Sequence, residues 1–483
     1  MTYFKKEVQK NTIMSKIEVI KFGTDGWRAI IGENYTFENV KRLSLATARH
    51  FRNHPKINNG IVIGYDTRFL SKEFAHCSAE VFANEGIKVF LTDSFVTTPT
   101  ISLMTRDLNL AFGVVITASH NPYKYNGYKL KDEFGGSMGN EELKKIEEQL
   151  KDINEVTLNR NIDELLKLGI INYINGREFY INNLKKKIDF KLISDLNKKV
   201  IYDPMFGAGQ GILKELVNAE EIHSEINPYF SGGGPEPVER NLSEILNKVR
   251  EQNFDIGIIT DGDADRIAII DEKGQFLNAQ KTFALLLLYL HRYKKYDGKV
   301  VRGYSTSEII EKYCDKYNLK LETVPIGFKY ISKIMITEDV LIGAEESGGI
   351  GIKGHLPERD GIYNGLLFLE MISKTNKTIS ELINELEVEF GKYYYNRKDV
   401  HTTEDKKLKT LQICSNLTIG KSIGGKQILK IDNLDGFKFT FSNGWIIIRP
   451  SGTEPLLRFY CETKEKDETL EVLNQTIKQL NLL

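Results

Sequence analysis

The chain has 483 residues, with 66 basic and 66 acidic side chains, so it has room for three or four domains and carries no net charge. That balance excludes a general attraction to nucleic acid or to an acidic membrane surface, and any anion site has to be built locally. The four cysteines, Cys77, Cys314, Cys414 and Cys461, form no C-x-x-C pair, which excludes a zinc cluster or redox dithiol and leaves ordinary reduced thiols.

Residues 1–17 read as an N-terminal extension of mixed composition without an apolar signal core, and Met14 is a second possible start. The longest apolar run, Phe283 to Leu290, is too short for the roughly 20 residues a bilayer crossing needs. A soluble cytoplasmic protein, a monomer or homodimer with no membrane or nucleic-acid partner, is therefore expected.

Along the chain, short β-branched runs end in Gly or Asp and are followed by helical patterns: IVIGYDTR (61–68), KVIYDPMFGAG (199–209), FDIGIITDGDADR (254–266) and KVVRGYSTSE (299–308). This is the rhythm of βα units, whose strand-end loops collect backbone N–H groups and ligands. Composition shifts suggest blocks at 18–180, 181–277, 278–392 and 393–483, the last a small α+β unit of apolar strands and one amphipathic helix.

Five loops can carry chemistry. Gly23-Thr24-Asp25-Gly26-Trp27-Arg28 ends in an arginine but is ordinary turn composition by itself. In Thr117-Ala118-Ser119-His120-Asn121-Pro122, a hydroxyl at a strand end beside an imidazole can act as a nucleophile; the alternative is a plain turn. Asp261, Asp263 and Asp265 alternate in one tight loop and repel one another unless a cation such as Mg²⁺ or Ca²⁺ neutralises them. An EF-hand would need Gly where Arg266 stands, and IAII after it reads as a strand. Glu345, Glu346 and Ser347 lie among glycines and suit sugar hydroxyls, unless they are only an acidic surface loop. Arg449-Pro450-Ser451-Gly452-Thr453-Glu454-Pro455, with Arg458 beyond it, gathers donors for phosphate oxygens; a hairpin with surface arginines is the alternative.

Together the loops supply a hydroxyl nucleophile, a divalent-cation site, a phosphate grip and hydroxyl acceptors, the parts phosphoryl transfer requires. With TASHNP, DGDADR and RPSGTEP in this order and spacing, the chain resembles the α-D-phosphohexomutase superfamily, the phosphoglucomutase and phosphomannomutase enzymes, from about Lys21 to the C-terminus. The resemblance implies three similar α/β domains with mixed sheets plus a smaller C-terminal α+β domain, heart-shaped around a central cleft.

It further implies that Ser119 carries the phosphoryl group and that Mg²⁺ is held by Asp261, Asp263, Asp265 and the serine phosphate. Arg28, His120 and Lys129 would assist transfer, Lys329 would serve as general acid or base, and Arg266 and His355 would line the cleft. Glu345 and Ser347 would hold sugar hydroxyls, and Arg449, Ser451, Gly452, Thr453 and Arg458 the second phosphate. A hexose 1,6-bisphosphate would be the intermediate and the activating phosphoryl source. The Glu-Glu-Ser form resembles glucose-preferring members, while mannose, glucosamine and pentose phosphates, or release of the bisphosphate, are alternatives. A phosphatase would leave TASHNP and RPSGTEP unexplained, and a non-catalytic sensor would not need Ser119 and the aspartates together.

Overall fold

The computed structural model describes residues 20–195, 198–451 and 456–482; the expected extension over 1–17 lies outside them. The first sheet has six strands in the order Trp27–Ile30, Tyr125–Lys131, Gly113–Ile116, Ile61–Tyr65, Val89–Thr92, Ile171–Ile174. Its first two junctions are antiparallel and the rest parallel. The central strands are fully buried, which is why they read as continuous β-branched runs and not as alternating patterns. Within the lysine-rich stretch after residue 156, Ile171–Ile174 pairs on the edge of this sheet, a strand too short and too half-exposed to stand out in the sequence.

The second sheet, Phe276–Leu277, Ile267–Ile270, Ile256–Thr260, Val200–Asp203, Glu220–Glu221, is also mixed. Ile256–Thr260 and IAII form an antiparallel hairpin around the acidic loop, not the helix-loop-helix of an EF-hand. The third sheet, Leu321–Val324, Lys299–Gly303, Val340–Ala344, Ile350–Ile352, has two parallel junctions and one antiparallel. The last unit is a wholly antiparallel five-stranded sheet with helices Glu404–Ser415 and Lys466–Gln479. These are the three mixed α/β domains and the α+β domain expected.

The domains interlock where the loops lie. A single apolar core runs through the second and third domains, with Ile258 and Ile267 packed alongside Ile362 and Leu366 of the helix Gly361–Thr375. That helix is capped by Asp360 and opens on the acidic loop, the Gly361 N–H donating to the Ala264 carbonyl at 2.9 Å. The fourth domain meets the third through Trp445, Ile447 and Tyr460 packed on Tyr304 and Ile326. Among the described residues no helix is long and apolar enough to cross a membrane.

Candidate active site

Ser119 follows the strand Gly113–Ile116 and is completely buried, with a left-handed φ of 52° that a non-glycine residue adopts only under constraint. Its Oγ donates to Asp261 Oδ2 at 2.7 Å and lies 3.2 Å from His120 Nδ1. Burial, reinforced by Arg266, Arg28 and Lys129, draws the His120 imidazole well below its ordinary pKa, so it is neutral and able to accept a proton. Arg28 donates to Asn121 Oδ1 in the same loop at 2.7 Å, and Asp25 lies beneath it at 3.4 Å. Gly26 makes that approach possible: at φ 87° a side chain there would sit 2.7 Å from the Tyr128 carbonyl.

Asp261, Asp263 and Asp265 are buried and offer oxygens all within 4.8 Å of one another. Asp261 Oδ1 turns the loop by accepting the N–H groups of Asp265 and Arg266, both at 3.1 Å, and Ala264 takes the left-handed bend. Burial and the two neighbouring carboxylates push Asp261 up to about 8. Asp263 is the opposite case: burial works against its charge, yet Lys129 and the Thr98 hydroxyl hold it well below the ordinary range. Thr98 begins the helix Thr98–Asp107, whose amino end also favours the anion.

The residues present fit a divalent cation. Asp263 Oδ1 and Asp265 Oδ1 are buried with no hydrogen-bond partner, and the donor set is all oxygen, as Mg²⁺ prefers. The remaining charge is met by Lys129 Nζ, 2.6 Å from Asp25, 2.8 Å from Asp263 and 3.0 Å from Asp265.

The loop Glu345–Gly349 is joined to the acidic loop through the backbone: Ile267 N–H donates to the Gly348 carbonyl at 3.1 Å, and Arg266 bridges Gly349. A cavity of about 730 Å³ opens there between the second, third and fourth domains, lined by Arg266, Glu346, Ser347, Tyr395 and Arg397. Arg266 Nε, Glu346 Oε2 and the Tyr395 hydroxyl are buried without a hydrogen-bond partner, Arg266 Nε lying 4.0 Å from Asp261. Glu345 sits behind this wall, 3.9 Å from Arg359, and burial pushes its carboxyl up to about 7.

In the fourth domain Arg449 and Arg458 are direct cross-strand neighbours, an arrangement of like charges that an anion would relieve. Arg449 is held by Asp435 at 2.9 Å and Arg458 lies 3.9 Å from Asp399. Ser451 is buried at the strand end, its carbonyl accepting from Lys407 at 3.1 Å, while Gly452 and Thr453 lie outside the described residues. Lys329 reaches across from the third domain to Asn140 of the first at 2.8 Å, and burial draws its ammonium pKa down.

His355 does not join this group. Expected to line the cleft, it is 3 % exposed, donates from Nε2 to Asp360 Oδ2 at 2.7 Å and stacks on Tyr363 at 3.9 Å, so its ring braces the start of the helix Gly361–Thr375. The chemistry-bearing residue of the segment HLPERDG is instead Arg359, which contacts Asp25 and Asp265, each at 2.8 Å, and Glu358 at 3.1 Å. Arg359 and Asp25 were legible only as strand-end or turn residues next to the ones singled out, because nothing local distinguishes a buried bridging arginine from a surface one.

A buried hydroxyl on a carboxylate triad, with paired arginines in a fourth domain, places the chain among multidomain phosphotransferases built from α/β units. Four domain models match in order: "Phosphoglucomutase/phosphomannomutase, alpha/beta/alpha domain I" over 19–157, domain II over 178–274, domain III over 278–390 and the C-terminal domain over 403–479. The chain is 30 % identical to a phosphoglucomutase/phosphomannomutase of Thermococcus kodakarensis, covering 95 % of this chain and 98 % of that one. It is also 30 % identical to a phosphoglucosamine mutase of Methanocaldococcus jannaschii, covering 95 % and 97 %. A crystal structure from Thermus thermophilus, assigned provisionally as a phosphomannomutase, superposes with a TM-score of 0.84 at 32 % identity over 96 % of this chain and 99 % of that one. The chain belongs to the phosphoglucomutase/phosphomannomutase family, and its activity is that of an isomerase-type intramolecular phosphotransferase.

Proposed function

We propose that the protein interconverts hexose 1-phosphate and hexose 6-phosphate, glucose being its preferred sugar, with Ser119 as the phosphoryl carrier. The observation that carries this reading is the Ser119 hydroxyl seated 2.7 Å from Asp261 at the mouth of the carboxylate triad. Asp261, Asp263, Asp265 and an oxygen of the Ser119 phosphate would hold Mg²⁺, which supplies charge neutralisation and alignment when bound.

In the first transfer the phosphorus leaves Ser119 Oγ and bonds to the free 6-hydroxyl of a sugar 1-phosphate, giving a 1,6-bisphosphate. The proton lost by the attacking hydroxyl is the one regained by Ser119 Oγ: Lys329, whose pKa burial lowers, acts on it at the sugar, and neutral His120, 3.2 Å from Oγ, accepts a proton before passing it to the serine. Arg28, Lys129 and Arg266 spread positive charge around the transferring group. Arg449, Ser451, Gly452, Thr453 and Arg458 grip the other phosphate while Glu345 and Ser347 read hydroxyls. The bisphosphate then turns over in the cleft, and the second transfer returns a phosphoryl group to Ser119 and releases the 6-phosphate. A hexose 1,6-bisphosphate from solution primes the unphosphorylated enzyme.

The Glu345-Glu346-Ser347 form supports glucose. An amino sugar is the second reading, because relatives at 29–30 % identity carry the names phosphoglucosamine/phosphogalactosamine mutase and phosphoglucosamine mutase. A panel of glucose, mannose, glucosamine and pentose 1-phosphates, with intact mass before and after, tests both readings. Glucose 1-phosphate should give the highest kcat/KM and Ser119 should carry one phosphoryl group. Ser119→Ala should lower conversion on the order of 10⁴-fold or more. Free phosphate as the main product, or conversion by Ser119→Ala near the wild-type rate, would rule out the phosphoserine route.

A further inference from the structure

The strand Ile61–Tyr65 lies parallel to Gly113–Ile116, so the residues that follow it, Asp66-Thr67-Arg68, emerge beside the Ser119 loop. The Arg68 side chain is completely buried. One terminal nitrogen donates to the carbonyls of Pro122 and Tyr125, both at 3.1 Å, and the other to those of Ser119 at 2.5 Å and Asn121 at 2.7 Å. Four carbonyls within seven residues thus converge on one guanidinium. The other end of the loop is fixed by Asp66, whose Oδ2 accepts the Thr117 hydroxyl at 2.6 Å, while Thr117 Oγ1 accepts the Ser119 N–H at 2.9 Å. Phe230 of the second domain covers the guanidinium at 4.9 Å, and Thr67 donates to the Phe206 carbonyl at 2.8 Å.

The four hydrogen bonds donated by the terminal nitrogens of Arg68 all go to backbone carbonyls of the Ser119 loop. Ser119 occupies a left-handed conformation, which persists only where its surroundings impose it. We propose that Arg68 is the positioning residue of the phosphoryl carrier: its planar fork holds the backbone of residues 119–125 so that Ser119 Oγ is presented to Asp261. What the site needs at this place is the fork and not merely a positive charge, since a lysine ammonium has one nitrogen and cannot bind four carbonyls in two divergent pairs. The inference rests on the reading of Ser119 as the carrier.

The test compares wild type, Arg68→Lys and Arg68→Ala as full-length enzyme with glucose 1-phosphate. Arg68→Lys should lose about 100-fold in kcat, the scale of a misplacement of about 1 Å, with KM held within about threefold. Amide exchange over residues 117–125 should accelerate by about tenfold or more while the strand Ile256–Thr260 keeps its protection. Guanidinium added to Arg68→Ala should recover about tenfold of the lost kcat by refilling the cavity. If Arg68→Ala does not fold, the lysine variant carries the test. A kcat within about threefold of wild type, a loss expressed in KM, or exchange accelerated through the whole first domain would overturn the proposal. If wild type itself shows no conversion, the functional reading fails, and loop exchange in Arg68→Lys still decides whether the fork sets the loop.

Discussion

Asp261 shows how single side chains are tuned by neighbours that the sequence separates from them. It is pushed up to about 8 by burial and by Asp265 and Asp263, and its Oδ2 receives the Ser119 hydroxyl. Mg²⁺ should therefore stabilise the folded protein by about 3 kcal/mol at a hundredfold excess over its dissociation constant, seen as a rise in thermal midpoint that EDTA reverses together with activity. Asp261→Asn should melt at or above the wild-type temperature without Mg²⁺, because one of three crowded carboxylates is gone, and should gain nothing when Mg²⁺ is added. A variant that keeps the Mg²⁺ shift would remove Asp261 from the ligand set. Arg449→Ala should act differently, raising KM for the phosphosugar about 10- to 100-fold through a lost charge-assisted contact, with kcat changed far less.

At the level of elements, the site depends on how loops of different sheets are joined. The hairpin after Val340–Ala344 docks on Ile267–Ile270 through Gly348, whose φ of 87° and missing side chain let the Ile267 N–H reach its carbonyl. A Cβ there would stand 2.6 Å from the Ile267 carbonyl oxygen. Gly348→Ala should cost about 1–3 kcal/mol in chemical denaturation and lower kcat/KM, since the strained backbone must move the loop of Glu345, Glu346 and Ser347 away from Arg266. An unchanged midpoint and kcat/KM would show that the two loops are not coupled there. The strands Ile61–Tyr65, Gly113–Ile116 and Ile256–Thr260 were legible as βα units because buried parallel strands are continuous apolar runs. Ile171–Ile174 was not, being half-exposed at an edge within a charged stretch.

At the scale of the whole molecule, a buried acid lies in the seam where the fourth domain packs on the third. Glu462 accepts from Trp445 Nε1 at 3.2 Å and from the Glu308 N–H at 2.9 Å, leaving Oε2 without a partner near Lys438. Burial pushes its carboxyl from 4.5 up to about 7. Below pH 4.5 both folded and unfolded chains hold the proton and there is no penalty. As pH rises towards 7 the unfolded chain releases it first, so this stability contribution is lost through that window and the loss is constant above it. Glu462→Gln should leave the denaturation midpoint nearly unchanged at pH 4.5 and raise it at pH 8, by up to about 3 kcal/mol. Equal effects at both pH values would show that the acid is charged in the fold.

The sequence by itself determined the repertoire: alternating βα units, a serine, three aspartates and a loop rich in arginine and hydroxyl donors at strand ends, because strand-end chemistry is encoded by short contiguous motifs. It misplaced His355, since an imidazole beside Pro and Arg reads the same whether it faces a cleft or, as here, packs between Asp360 and Tyr363. Only the tertiary structure decided which charges meet. Arg359 joins Asp25 to Asp265 across more than one domain, and Arg68 collects the backbone of a loop about fifty residues downstream. Such bridges depend on distances set by packing between domains, and the local sequence around either arginine carries no trace of the partner it will find.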